Sequence, residues 1–279
     1  MPQLLRQVAL VSQASAVALS DLLLCSAAVQ KQVSRDFAPI WDVDATVDAF
    51  ADLDHVPLGY WPVLVVDADP RLPDTALGVH LDDDNQPFAL VKATGSWQLT
   101  VSHEILEMLA DPSGNRVVAG DSPKADQGRV EFLVEVSDPS EAAENGYTAN
   151  GITVSDFYTP QYFDPVQASG VRYSFTGAIN EPRQVLKGGY LSWHDPVTDN
   201  WWQEQYFGDS PDFINLGPMT GRESLRAQIE RRTNVQSMRT MAQSRSTLVA
   251  ASQIFKTHMA RPSAARADAL RAYIKRLKS

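Results

Sequence analysis

WQLTVSHEILEMLADPSGNR, residues 97–116, is the stretch on which the reading of this chain turns. It sets His103 beside Glu104, with Glu107 one helical turn beyond His103 and Asp111 a further turn on. Residues four apart stack on one helix face, so His103 and Glu107 project together, and Asp111 extends the row if the last turn holds. Ile105, Leu106 and Leu109 fall on other faces and are expected in a core. Pro112 stops the helix. An ion held by an i, i+4 pair needs this spacing, because side chains from consecutive turns converge on a point about 2 Å from each ligand atom. Glu104, next to the first ligand but off its row, is placed to accept a proton from a water activated by the ion.

A histidine at the second ligand position is the familiar form of this pattern, and here Glu107 stands there instead. Each anionic ligand offsets part of the cation's charge, so one imidazole with two carboxylates leaves an activated water less acidic than a histidine-rich site does. Oxygen ligands also make manganese, iron or calcium rivals to zinc.

Outward from this helix, strands and helices mix. LLRQVALVSQ (4–13) reads as a buried strand, residues 20–41 as a helix capped by Ser20 or Asp21, and ATVDAFADL (45–53) as another short helix. YWPVLVVDAD (60–69), ALGVHL (76–81) and PFALVKA (87–93) read as strands, the last two joined across the polar loop DDDNQ. GRVEFLVEVSDP (128–139) returns to a strand. Between about 145 and 210 the sequence is rich in glycine, aromatics and turns, with a hairpin expected around DPVTDN (195–200). Residues 221–259 lack Gly and Pro after Gly221 and read as helix-rich. Beyond Pro262, Leu270, Tyr273, Ile274 and Leu277 are spaced for an amphipathic helix with a basic outer face.

Charge divides the chain in the same place. Residues 221–279 carry 13 of the 24 Lys and Arg but only 3 of the 34 Asp and Glu, so an acidic body bears a basic tail. No nucleic-acid motif accompanies that tail, and self-association or docking on the body is the expected use. The single cysteine, Cys25, excludes an intrachain disulfide framework and fits a reducing compartment. AVALSDLLLCSAAVQ (16–30) fails as a secretion signal because Asp21 interrupts its apolar run and the large Leu24 precedes Cys25. No run approaches the roughly 18 apolar residues of a membrane span. A cytoplasmic location without membrane association is the expectation.

The segment 80–139 resembles zincin-type metallopeptidases of a variant class, and its pattern is similar to plant phosphate-induced, exordium-like proteins and related microbial proteins. Those pair a His-Glu-x-x-Glu helix ending in Asn/Asp-Pro with a later Glu-x-x-Asp segment. The matching residues are His103, Glu104, Glu107, Asp111 before Pro112, then Glu135 and Asp138. Pro139 stands where the plant proteins continue into a cysteine-bearing segment, so no disulfide or secretory biology is carried over.

The resemblance implies an α+β, zincin-like body with a mixed sheet over residues 1–220 and a helical C-terminal extension over 221–279. It implies a zinc-dependent peptidase acting on a peptide or protein substrate, with Glu104 as catalytic base. His103 and Glu107 are the expected ligands, Glu135 and Asp138 compete for the third place, and Asp111 is either a further ligand or a turn former. PFALVKA sits where a substrate-pairing edge strand would precede the active helix. The alternative is a degenerate zincin that binds metal or peptide as an interaction module. His80 and His194 are spare imidazoles, either of which could supply a ligand, though each is read first as structural. HLDDDN (80–85) reads as a solvated hairpin loop, and Trp193, Trp201, Trp202, Tyr206 and Phe207 as aromatics packed on their sheet.

Overall fold

A computed structural model of the chain describes residues 5–72, 76–83, 86–233 and 264–277. It is α+β, with two five-stranded sheets and a two-stranded ribbon. The first sheet has the order β2-β1-β3-β5-β4. Its members are β1 (Arg6–Ser12), β2 (Ala45–Phe50), β3 (Trp61–Val66), β4 (Gly78–Asp83) and β5 (Gln86–Lys92). β1, β2, β3 and β5 run parallel, and β4 closes one edge antiparallel to β5.

Period-two alternation gives this sheet two apolar faces. Val8, Leu10, Val63, Val65, Ala89 and Val91 share the main core with the helices, while Leu64, Val66, Val79, Phe88 and Leu90 form a second cluster. α1 (Leu19–Gln32) continues through a π-helical turn (Val33–Phe37) into α2 (Ala38–Trp41), where Asp42 in the left-handed region ends it. α3 (Trp97–Ala110) follows β5 directly. A buried relay locks α3 to α1: Ser102 Oγ donates to Gln32 Oε1 at 2.7 Å and accepts from Ser155 N at 2.9 Å, while Gln32 Nε2 donates to Ser155 O at 2.8 Å.

Residues 45–53, expected as a helix, instead supply β2. Ala45 and Val47 are buried at strand spacing, and their backbone is held by α1, where Val47 O accepts from Ser26 Oγ and Gln30 bonds both Ala45 O and Val47 N. Parallel pairing with β1 outweighs the local helical pattern. PFALVKA is also not an edge, since β5 lies between β3 and β4.

The second sheet, β12-β11-β10-β7-β6, is antiparallel throughout. It contains β6 (Val117–Asp121), β7 (Arg129–Leu133), the hairpin β10 (Tyr190–Asp195) and β11 (Asn200–Gln205), and β12 (Asp212–Gly217). β8 (Tyr147–Ala149) and β9 (Ile152–Val154) form the ribbon. Trp193 and Trp201 are buried, in keeping with aromatics that pack rather than bind.

α4 (Leu225–Arg232) joins the body, with Ile229 buried against Leu133 and Trp201. The helix-rich reading of 234–259 lies outside the described residues. α5 (Ala264–Leu277) covers the expected amphipathic segment, and its Tyr273 hydroxyl donates to Asp121 Oδ2 at 3.0 Å. Among the described residues no helix is long and apolar enough to cross a membrane.

Candidate metal centre

α3 presents its polar row inward rather than to solvent. His103 is 4% exposed, and Glu104 and Glu107 are fully buried. The i, i+4 pair converges as helical spacing requires, with His103 Nε2 3.4 Å from Glu107 Oε1. β7 ends at Leu133, earlier than the strand expected over 128–139, and the chain then turns through a 3₁₀ segment at Asp138–Ser140. That turn swings Asp138 toward the helix, so its Oδ1 lies 2.9 Å from His103 Nε2, while Ser137 N donates to Glu107 Oε1 at 3.2 Å. Gly189 makes room for the turn, because a Cβ there would sit 2.6 Å from the carbonyls of Asp138 and Pro139.

His103, Glu107 and Asp138 thus form a triad whose ligand atoms all lie within 4.8 Å of one another. Of the two acids competing for the third place, Asp138 meets the imidazole. Glu135 is buried in the same pocket, where its Oε1 faces Arg226 Nη1 at 3.5 Å. Asp111 stays outside the triad; its carboxylate accepts from Arg116 N at 2.7 Å and Ser113 Oγ at 3.3 Å, which makes it the turn former at the end of α3.

Two further groups enter the site: His80, read first as structural, and Arg226, which the sequence did not single out. His80, on β4, is 1% exposed and directs Nδ1 toward Glu107 Oε2 at 3.8 Å and Glu104 Oε2 at 4.0 Å. Arg226, near the start of α4, is equally buried. Its Nη2 stands 2.5 Å from Glu107 Oε2, and its Nη1 lies 3.4 Å from Asp138 Oδ2. Glu230, one turn along α4, lies 3.8 Å from the guanidinium. A capping serine, Ser224, and the apolar Ile229 mark α4 locally, yet nothing in RESLRAQIERR distinguishes a buried arginine from the exposed ones beside it. For His80 a signal existed: it lies two residues along the strand from Gly78, the residue whose missing Cβ lets Glu104 approach β4. His194 lies elsewhere, between Glu131 at 3.1 Å and Asp199 at 3.0 Å.

The electrostatics follow from confinement. Burial opposes charging His103, but the carboxylates of Glu107 and Asp138 outweigh it and hold the imidazole well above its ordinary pKa. Burial raises Glu135, and the neighbouring Asp138 pushes it further in the same direction. Asp138 goes the other way: burial opposes its ionisation, and Arg226 and His103 more than compensate. Burial, reinforced by Arg226, keeps His80 neutral.

No family model, curated protein or solved structure matches the chain. The chemistry of the donor set fits a divalent cation all the same. One guanidinium faces Glu104, Glu107, Glu135, Asp138 and Glu230 in a pocket shut off from water, and buried carboxylates in such excess call for further positive charge or for protons. An imidazole with two carboxylates suits zinc, and equally manganese or iron.

Proposed function

We propose that this chain is a metal-dependent hydrolase of the peptidase class, with His103, Glu107 and Asp138 holding the ion and Glu104 acting as base. The observation that carries the reading is the meeting of a helical His/Glu pair with an acid from a separate segment of chain at 2.9 Å. Zinc bound there supplies Lewis acidity toward a scissile carbonyl. Glu104, fully buried beside the triad, takes the proton of the attacking water and returns it to the leaving amine.

Substrate has a place to lie. A cavity of about 540 Å³ runs between the edge strand β4 and α4, lined by Val79, Leu81, Phe88, Ser224 and Ala227 and reaching the site at Glu230. An extended peptide pairing with β4 would occupy that groove. Because the triad is closed to solvent and Arg226 is seated on Glu107, the reading includes displacement of α4 before turnover.

That same contact favours a second reading, a metal- or peptide-binding interaction protein without hydrolysis, in which Arg226 stays in place. Casein digestion by the zinc-loaded chain separates the two. The hydrolase reading expects cleavage that stops with chelator and with Glu104→Gln, the latter keeping zinc at the triad. Zinc-loaded wild type and Arg226→Met that both leave casein intact would establish the second reading.

A further inference from the structure

We propose that a second divalent cation binds between His80, Glu104 and Glu107, with Glu107 bridging this position and the His103 triad. The two sets of ligand atoms each lie within 4.8 Å of one another and have only Glu107 in common.

The tautomer of His80 carries the proposal. Its Nε2 lies 3.2 Å from the carbonyl oxygen of Asp111. A carbonyl only accepts, so Nε2 bears the proton and Nδ1 keeps a lone pair. Nδ1 is buried and has no hydrogen-bond partner among the described residues. It faces the Glu107 and Glu104 oxygens at 3.8 and 4.0 Å, too far for a hydrogen bond. A lone pair turned on two carboxylates is repulsive unless positive charge offsets it. With α4 seated, Arg226 Nη2 supplies that charge from 2.5 Å of Glu107 Oε2 and 3.9 Å of Glu104 Oε2, and a divalent cation is the group that can replace it and also use the lone pair. An imidazole whose other N–H is anchored to a backbone carbonyl is also the arrangement that orients metal-ligating histidines.

Glu107 is built to serve both positions. Its Oε1 faces His103 at 3.4 Å and its Oε2 faces His80 at 3.8 Å. Arg226 Nη2 contends for that second oxygen from 2.5 Å, so filling this position is coupled to the seating of α4. One nitrogen and two oxygen donors take zinc, manganese or iron(II). The proposal goes beyond the hydrolase reading and holds whether or not peptides are cleaved; in that reading Glu104 serves as base while this second position is empty.

The test is zinc stoichiometry in the full chain, by titration with Zn²⁺ and elemental analysis after dialysis. Wild type is expected to hold two equivalents, and His80→Ala and Asp138→Asn one each. One equivalent in wild type, kept by His80→Ala and lost in Asp138→Asn, overturns the second position and spares the hydrolase ligand set. The reverse pattern supports the His80 position and removes that set. Anomalous scattering from zinc-soaked wild-type crystals needs no variant to fold: a peak about 2 Å from His80 Nδ1 is expected, and its absence sinks the proposal.

Discussion

Arg226 Nη2 lies 2.5 Å from Glu107 Oε2, and neither side chain is more than 1% exposed. The pair joins a helix of the basic C-terminal region to the row on α3, and it does so in a pocket where most charge is negative. A guanidinium in that position acts as a resident cation, and its removal and the binding of metal have opposite effects on the same oxygens.

Arg226→Met therefore destabilises the metal-free chain, because breaking a buried ion network from one side leaves its acids uncompensated, at a cost of roughly 3–5 kcal/mol. Added zinc narrows the difference. Urea unfolding in chelator and in excess zinc measures both effects; an unchanged midpoint in chelator would show that the guanidinium does not compensate these acids.

Asp138→Asn and Glu135→Gln differ sharply in zinc binding if the third ligand is the acid that meets His103. Loss of Asp138 weakens zinc by at least about tenfold, by comparison with the cost of altering even outer-shell groups. Glu135, raised well above its ordinary range by burial and by Asp138, already favours its neutral form, and Gln imitates that form. Competition with a zinc indicator reads the two affinities, and a greater loss in Glu135→Gln would reverse the assignment.

Gly78→Ala costs about 1–3 kcal/mol by overpacking. A Cβ there would lie 2.5 Å from Glu104 Oε1 and 2.6 Å from Thr100 Cγ2, so β4 and α3 must part. Thermal unfolding gives the magnitude. A melting temperature equal to wild type would mean that β4 does not press on α3.

Asp156 gives the chain a pH dependence of known sign. Burial pushes it up to about 6, against the hydrogen bond its Oδ1 accepts from Thr176 N. With the folded pKa above the unfolded one, its stabilising contribution is complete below about pH 4 and is lost as pH rises through about 6. Asn mimics the neutral acid, so Asp156→Asn gains roughly 2–3 kcal/mol over wild type at pH 8 and less than about 1 kcal/mol at pH 4. Paired urea curves at those pH values check it, and equal gains at both would refute the burial effect.

Legibility followed range along the chain. The polar row of α3, its stop at Pro112 and the β10–β11 hairpin were readable because each is set by neighbours within a few residues. ATVDAF misled because its local pattern is helical and its partner, β1, lies some forty residues away in sequence. Asp111 and Asp138 are both acids before proline, and no local rule separates the one that closes a turn from the one that meets an imidazole.

By itself the sequence determined that His103 and Glu107 share a helical face and that Glu104 leaves it, since a 3.6-residue period permits no other arrangement. Tertiary structure alone decided that Asp138 rather than Glu135 reaches His103, that His80 enters from the edge strand, and that Arg226 sits on Glu107. These groups come from β4, the turn after β7 and α4. Only the burial of two sheets against common helices sets their separations, because contacts between residues distant in sequence are selected by packing and not by local spacing.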